Sequence, residues 1–299
     1  MTASDLAQVL GGRKEGQEYR AACPVHGGRS LCFREKDGRL LVVCRAGCDQ
    51  DSVISELRRL QLWENGNRSE VRPTPAPERP DDGARKAEKA SRIWAEGRPL
   101  ASGDPVWLYL RDRGIELQEY PQDLRTHAGL GYWEVDAAGK PIRTKIFPCM
   151  LALIRNPEGR PVGLHRTYLT EDGHKAPVPS PRKIMKVRDL TGGAVRLFCP
   201  ADGRLAVCEG LEDALSAWIL WGIPCWACLG TSGLKGFEPP AGIRELIILS
   251  DRDQNGAGQK AALELAKRME AKKMAVRIRV PSGHKDINGL LQKEKHGGF

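Results

Sequence analysis

The 299-residue sequence has no apolar run close to the ~18 residues that a membrane-spanning helix needs, which argues against a membrane protein. Its N-terminus also lacks the basic-then-apolar pattern of a secretory signal peptide, so we expect a cytoplasmic location. In that reducing compartment the nine cysteines, an odd number, are expected to be thiols or metal ligands rather than a disulfide framework. No internal repeat is present.

The composition is that of a folded protein with a basic surface. Hydrophobic residues make up 40% of the chain and charged residues 28%, which is enough to bury a core. Lys and Arg number 47 against 38 Asp and Glu, giving a net charge of +9. This excess favours a polyanionic partner, although a solvated basic surface would give the same count.

The order of the predicted elements indicates several domains. Four prolines between residues 72 and 83 predict an extended tether and a domain boundary. Before it, a cysteine-containing β module is expected, and after it an α+β segment; apolar strands then alternate with helices, which predicts a buried parallel sheet in an α/β domain. The predicted boundaries are 1–66, 67–83 for the linker, 84–200 and 201–299.

Two pairs of metal-binding residue types lie in the first segment. Cys23 and His26 form one pair, and Cys44 and Cys48 form the other. A hairpin predicted around Asp37-Gly38 would bring the pairs together. Three sulfurs and one imidazole can close a tetrahedron around Zn²⁺, and a closed four-ligand site is typical of a structural metal.

Acidic side chains follow two of the predicted parallel strands. Glu209 directly follows one apolar strand, and Asp251 and Asp253 follow another; Asp213 lies one helical turn after Glu209. Ligands bind outside the carboxyl ends of strands in open parallel sheets. Because converging carboxylates repel one another unless cations neutralise them, we predict that Glu209, Asp251 and Asp253 bind Mg²⁺ or Mn²⁺ for phosphoryl transfer, assisted by Asp213.

Together these motifs resemble bacterial-type DNA primases, especially the forms carried by phages and plasmids. The resemblance rests on the cysteine–histidine knuckle, on the element Tyr109-Leu110-Arg111-Asp112-Arg113-Gly114, and on Glu209-Gly210, Asp213 and Asp251-Arg252-Asp253, which are similar to the marks of a Toprim domain. It implies a zinc ribbon-like domain, a small α+β polymerase subdomain and a Toprim domain. The implied activity is the synthesis of RNA primers on single-stranded DNA from nucleoside triphosphates. No Gly-x-x-x-x-Gly-Lys-Ser/Thr loop is present, so any replicative helicase would be a separate protein.

Basic residues between the first helices and the end of the chain are candidates for binding template or nucleotide phosphates, although a charge run is often only a solvated face. The resemblance favours Arg166 and Lys186 among them. The full predicted set is Arg143, Lys145, Arg166, Lys183, Lys186 and Lys285.

Two other functions are compatible with the same residues. Toprim-type carboxylates also serve nucleases and topoisomerases, which break DNA strands. A topoisomerase also needs a nucleophilic tyrosine in a separate domain, and this sequence offers no clear candidate for one. A nuclease is therefore the first alternative. A non-catalytic single-stranded-DNA-binding protein is the second alternative. The joint presence of Glu209, Asp213, Asp251 and Asp253 argues against it.

Overall fold

A computed structural model describes residues 2–25, 27–36, 39–45, 48, 50–63, 82–135, 141–252 and 256–296. Of the predicted site residues, His26 and Asp253 lie outside these ranges, as does most of the predicted linker 67–83. The chain divides into two compact units, Met1–Pro77 with Trp133–Thr144, and Glu78–Tyr132 with Lys145–Phe299. Within the described ranges, no helix combines the length and apolarity needed to cross a bilayer.

The first unit is built on a four-stranded antiparallel sheet in chain order. Its helices and strands are α1 (Ala3–Val9), β1 (Arg13–Glu15), β2 (Glu18–Ala21), β3 (Leu31–Lys36), β4 (Arg39–Cys44) and α2 (Gln50–Arg59). A capping box starts α1, because Thr2 and Asp5 each accept the other's backbone N–H. The hydrophobic core of this unit contains Leu6 of α1, Phe33 of β3 and Leu57 of α2, which are almost fully buried.

The second unit begins with two helices and a set of mainly antiparallel strands. These are α3 (Asp82–Glu96), α4 (Pro105–Arg111), β5 (Leu124–Val135), β6 (Pro141–Arg155), β7 (Pro161–Tyr168), β8 (Arg182–Lys186) and β9 (Ala194–Val195). Residues 133–135 of β5 and 141–144 of β6 are counted with the first unit. Pro105 opens α4, and Gly114 adopts the left-handed φ of +72° beyond its end. Asp104 stands at the N-cap position, but its side chain binds Arg98 and the Ala101 N–H instead.

The alternating elements predicted for the last third of the chain are present. They are β10 (Arg204–Cys208), α5 (Leu211–Trp221), β11 (Cys225–Ala227), α6 (Thr231–Gly236), β12 (Glu245–Leu249), α7 (Ala257–Ala271), β13 (Ala275–Arg279) and α8 (Ile287–His296). Strands β13, β12, β10 and β11 are parallel neighbours in that order. The mixed α/β architecture with a parallel sheet is therefore confirmed.

One nine-stranded sheet runs through the second unit. The short strand β9 pairs antiparallel with β11 on one side and with β6 on the other, and so joins the parallel strands to β6, β7 and β8. Side chains of β10 alternate between the two cores: Leu205 and Val207 pack with α7, whereas Ala206 and Cys208 pack with α5. Because both of its faces are buried, β10 lies in the interior of the sheet, and its carboxyl end borders the candidate site.

Candidate active site

The carboxyl ends of β10 and β12 open into a cleft of about 720 Å³ in the second unit. Glu209 follows β10, Asp251 lies two residues after β12, and Asp213 stands in the first turn of α5; all three line the cleft. Because β10 and β12 are adjacent parallel strands, their ends share one edge of the sheet. The structure thus brings these three predicted carboxylates together.

Asp213 shows how strongly the acidic groups interact. Burial, followed by the charges of Asp251 and Asp286, raises the pKa of Asp213 to about 7, although a hydrogen bond from the Asn288 backbone N–H opposes the shift. That N–H lies 3.0 Å from Oδ1. Asp213 therefore holds a proton for part of the time at neutral pH, and a bound cation would displace this proton.

Asn288, at the start of α8, fixes the position of Asp213. Besides the backbone contact, its side-chain amide donates to the Arg113 carbonyl at 2.9 Å and to Ser216 Oγ at 3.0 Å. Ser216 in turn donates to the Glu212 carbonyl at 2.7 Å within α5. Hydrogen bonds of Asn288 and Ser216 thus connect α8, α5 and the segment after α4 at one side of the cleft.

The donor chemistry of the cleft suits a hard divalent cation, since carboxylate oxygens are the ligands that Mg²⁺ prefers. In the ranges that the structure describes, no three carboxylates place oxygen atoms all within 4.8 Å of one another. Asp253, the third predicted magnesium ligand, lies outside those ranges. The described carboxylate side chains therefore line one cleft, but they do not form a compact set of metal ligands.

The predicted basic residues separate into two groups. Lys183 and Lys285 line the cleft with the carboxylates. Arg166 is not among the residues that line the cleft; it lies on the neighbouring strand β7 in register with Lys183, and its guanidinium donates to the Tyr168 hydroxyl at 3.2 Å.

The other predicted cations are not among the residues that line this cleft. Lys186 lies at the end of β8 with its ammonium 3.6 Å from Asp189. Arg143 and Lys145 are exposed side chains of β6. Their predicted binding role stays a prediction.

Several side chains of the cleft were not predicted from the sequence. Tyr109 Oη and Arg182 Nη2 both donate to Glu212 Oε1, at 2.5 and 2.6 Å, and Arg113 lies 3.8 Å above the Tyr109 ring. His165, on β7, also lines the cleft. Tyr109 and Arg113 lie within the element Tyr109–Gly114 named from the sequence, but no role in the site was predicted for them. The pairing of Tyr109 with Glu212 joins residues 103 positions apart.

The predicted zinc site is partly visible in the first unit. The sulfur atoms of Cys23, Cys44 and Cys48 all lie within 4.8 Å of one another, whereas His26 lies outside the described residues. Partial burial and the neighbouring Cys44 and Cys23 sulfurs raise the pKa of Cys48 to about 12. Such a crowded set of soft donors fits a metal that takes thiolates, because the metal would release these protons.

Two family models match parts of the second unit. Residues 84–197 match a domain of unknown function, DUF7146. Residues 204–296 match the Toprim domain, the segment that carries Glu209, Asp213 and Asp251. No curated protein matches the sequence.

Solved structures with similar architecture include several primases. The primase fragment of the bacteriophage T7 primase-helicase protein is 21% identical, with a TM-score of 0.37, and the alignment covers 50% of this chain and 59% of that one. A DNA primase domain from Pseudomonas aeruginosa is 15% identical, with a TM-score of 0.38 and coverage of 55% and 53%. The zinc-binding and RNA polymerase domains of the Aquifex aeolicus primase are 16% identical, with a TM-score of 0.44 and coverage of 99% and 82%. All three TM-scores are below 0.5.

Proposed function

We propose that this protein is a DNA primase that synthesises short RNA primers on single-stranded DNA from nucleoside triphosphates. The observation that carries the proposal is the convergence of Glu209, Asp213 and Asp251 on one cleft that cations also line. Phosphoryl transfer needs this combination, since its catalysis consists mainly of positioning and charge neutralisation. The Toprim match over the same residues supports it.

In the proposed reaction, the 3′-hydroxyl of one nucleotide attacks the α-phosphorus of a second, and pyrophosphate leaves in line as the new phosphodiester forms. Glu209, Asp251 and Asp253 would hold Mg²⁺ or Mn²⁺, which supplies the positive charge that neutralises the phosphate oxygens. Asp213 supports these ligands from the first turn of α5. Lys183 and Lys285, on the cleft wall, contact phosphate groups of the substrates.

The first unit would contact the template. Cys23, Cys44 and Cys48, with His26, would hold Zn²⁺ as a structural ion that keeps the small β module folded. A module of this size rarely folds on its core alone, which favours a structural role for the metal. A separate helicase partner and an origin in a mobile element stay predictions.

The direct test is an assay with labelled single-stranded DNA, ribonucleotides and Mg²⁺. We expect metal-dependent synthesis of RNA, and we expect Asp251→Asn to lower it by at least about 100-fold because a ligand charge is lost at the reacting centre. Asp202→Asn is the matched control: this exposed turn residue has a φ of +52°, which asparagine tolerates well, and it lies outside the cleft.

Each alternative function has its own result in this assay. Shortening of the DNA without RNA synthesis would identify a nuclease. Binding that is indifferent to Mg²⁺, with no turnover, would identify a single-strand-binding protein. Synthesis at the wild-type rate by a folded Asp251→Asn variant would show that Asp251 does not belong to the catalytic centre.

A further inference from the structure

Strand β13 lies at one end of the nine-stranded sheet, paired in parallel with β12; within the described residues no other strand pairs with it. The Ala275 N–H donates to the carbonyl just before β12 at 3.1 Å, and the Arg279 carbonyl accepts the N–H just after β12 at 2.9 Å. Because alternate residues of a strand direct their N–H and C=O groups to opposite sides, the backbone groups of Val276 and Ile278 face the open edge. An edge of this kind is a template for one more strand.

The side chains of β13 differ between the two faces of the sheet. Val276 packs against the apolar core under α7, and Ile278 lies on the same face with 37% of its surface exposed. Arg277 and Arg279 lie on the opposite face, and both are exposed. The edge therefore presents apolar side chains on one face and cations on the other.

The arginine face of this edge carries an excess of positive charge. Arg277 lies 2.8 Å from the Glu245 carboxylate, but the same carboxylate also pairs with Arg204 at 3.0 Å. Arg279 adds a third positive charge to the one negative charge of Glu245. Because opposite charges directly across a strand pair stabilise it, acidic residues are favoured in a strand that joins this edge.

A second copy of β13 would fit this edge poorly. Two copies related by a two-fold axis would pair antiparallel, with the outward-facing residues of one copy opposite those of the other. The registers that pair most of the strand then place Arg277 opposite itself or opposite Arg279. Like charges directly across a strand pair destabilise it, so the arginines oppose self-association.

We propose that β13 binds an extended acidic segment of a partner protein, which adds a strand to the edge of the sheet. The backbone of the segment pairs with Val276 and Ile278, and its acidic side chains lie opposite Arg277 and Arg279. Its remaining side chains, which alternate with the acidic ones, are apolar and lie on the face of Ile278. No described residue of β13 lines the cleft, so the inference is independent of the proposed function.

The test uses a labelled peptide of alternating glutamate and valine, seven residues long, and measures its binding to the full-length protein by fluorescence anisotropy. A peptide of the same composition with its glutamates and valines in two separate blocks is the control for charge alone. We expect the alternating peptide to bind at least about fivefold more tightly, because alternation places every acidic group on one face. Amide hydrogen exchange of Val276 and Ile278 should also become slower in the complex, since both N–H groups then donate to the peptide.

Two variants of Ile278 separate backbone pairing from side-chain contact. Ile278→Pro removes an N–H that faces the open edge and leaves the hydrogen bonds to β12 in place. We expect it to weaken binding of the alternating peptide at least about fivefold, whereas the matched control Ile278→Val, which keeps the N–H, should stay within about twofold of wild type.

A charge reversal covers the case in which Ile278→Pro fails to fold. Arg279→Glu should weaken binding of the alternating acidic peptide about fivefold and strengthen binding of a peptide of alternating lysine and valine.

Several results would overturn the proposal. These are absence of saturable binding below about 1 mM, equal binding of the block peptide, or unchanged affinity in folded Ile278→Pro or Arg279→Glu. A dimer of the wild-type protein that Ile278→Pro abolishes would assign the edge to a second copy of the chain instead. None of these results bears on primer synthesis, which is measured separately.

Discussion

The buried imidazole of His165 should make the second unit less stable in mild acid. Its pKa is about 4 in the folded protein against 6.5 as the ordinary value. Between these values the unfolded chain binds a proton that the folded chain does not, so stability is lost as the pH falls from about 6.5 towards 4. From this difference we calculate a loss of about 2 kcal/mol at pH 5, approaching about 3 kcal/mol below pH 4.

The assay compares wild type with His165→Gln, whose side chain is neutral at every pH. The free energy of unfolding is measured in urea at pH 7.5 and pH 5, with the Trp226 indole N–H, which donates to the Phe198 carbonyl at 2.7 Å, as an NMR probe of the second unit. All other titrating groups are common to both proteins and cancel in the double difference. We expect wild type to lose about 2 kcal/mol more than His165→Gln between the two pH values. Equal losses would refute the assignment of a neutral, buried His165.

Two further predictions concern the metal and the backbone. We expect about one zinc ion per chain in wild type and in Cys32→Ser, a buried cysteine outside the sulfur cluster, but not in Cys44→Ser; equal zinc contents in the two variants would contradict the site. Gly233→Ala should lower the free energy of unfolding by at least about 2 kcal/mol, because a Cβ there would overlap the Cys228 carbonyl oxygen. Gly236→Ala in the same helix meets nothing within 4 Å and should be neutral or slightly stabilising in the same denaturation experiment.

The parallel part of the fold could be predicted because its strands are buried on both faces. Strands such as β10 and β12 consist of continuous apolar residues between helices, and this pattern admits few other structures. Strand β5 was not predicted, because its sequence mixes glycines with polar residues and carries no clear alternation. Strand β8, Arg182–Lys186, looked like a charge run, since its exposed edge position leaves it little apolar character.

The candidate site, like the fold, could be predicted only in part from the sequence. Glu209, Asp213 and Asp251 could be predicted because the ends of parallel strands meet at one edge of the sheet, whatever the rest of the chain does. His165 and Glu212 could not, since their role depends on contacts that only the folded chain creates. In particular, the helical phase of α5 decides that Glu212 meets Tyr109 while its neighbour Asp213 meets Asn288.

The electrostatics of the cleft indicate what kind of ligand completes it. Five acidic and five cationic side chains line the cleft, so its net charge is close to zero; like charges are grouped on two sides, although Glu212 pairs with Arg182 on the basic side. On the acidic side, Asp251 and Asp286 contribute to the raised pKa of Asp213; on the basic side, Arg182 and Arg113 contribute to the lowered pKa of Lys175. Like charges are thus held together on both sides at an energetic cost, and a ligand of one sign would relieve only one of them. A nucleotide polyphosphate accompanied by divalent cations carries both signs, and it would relieve both sides in a single binding event.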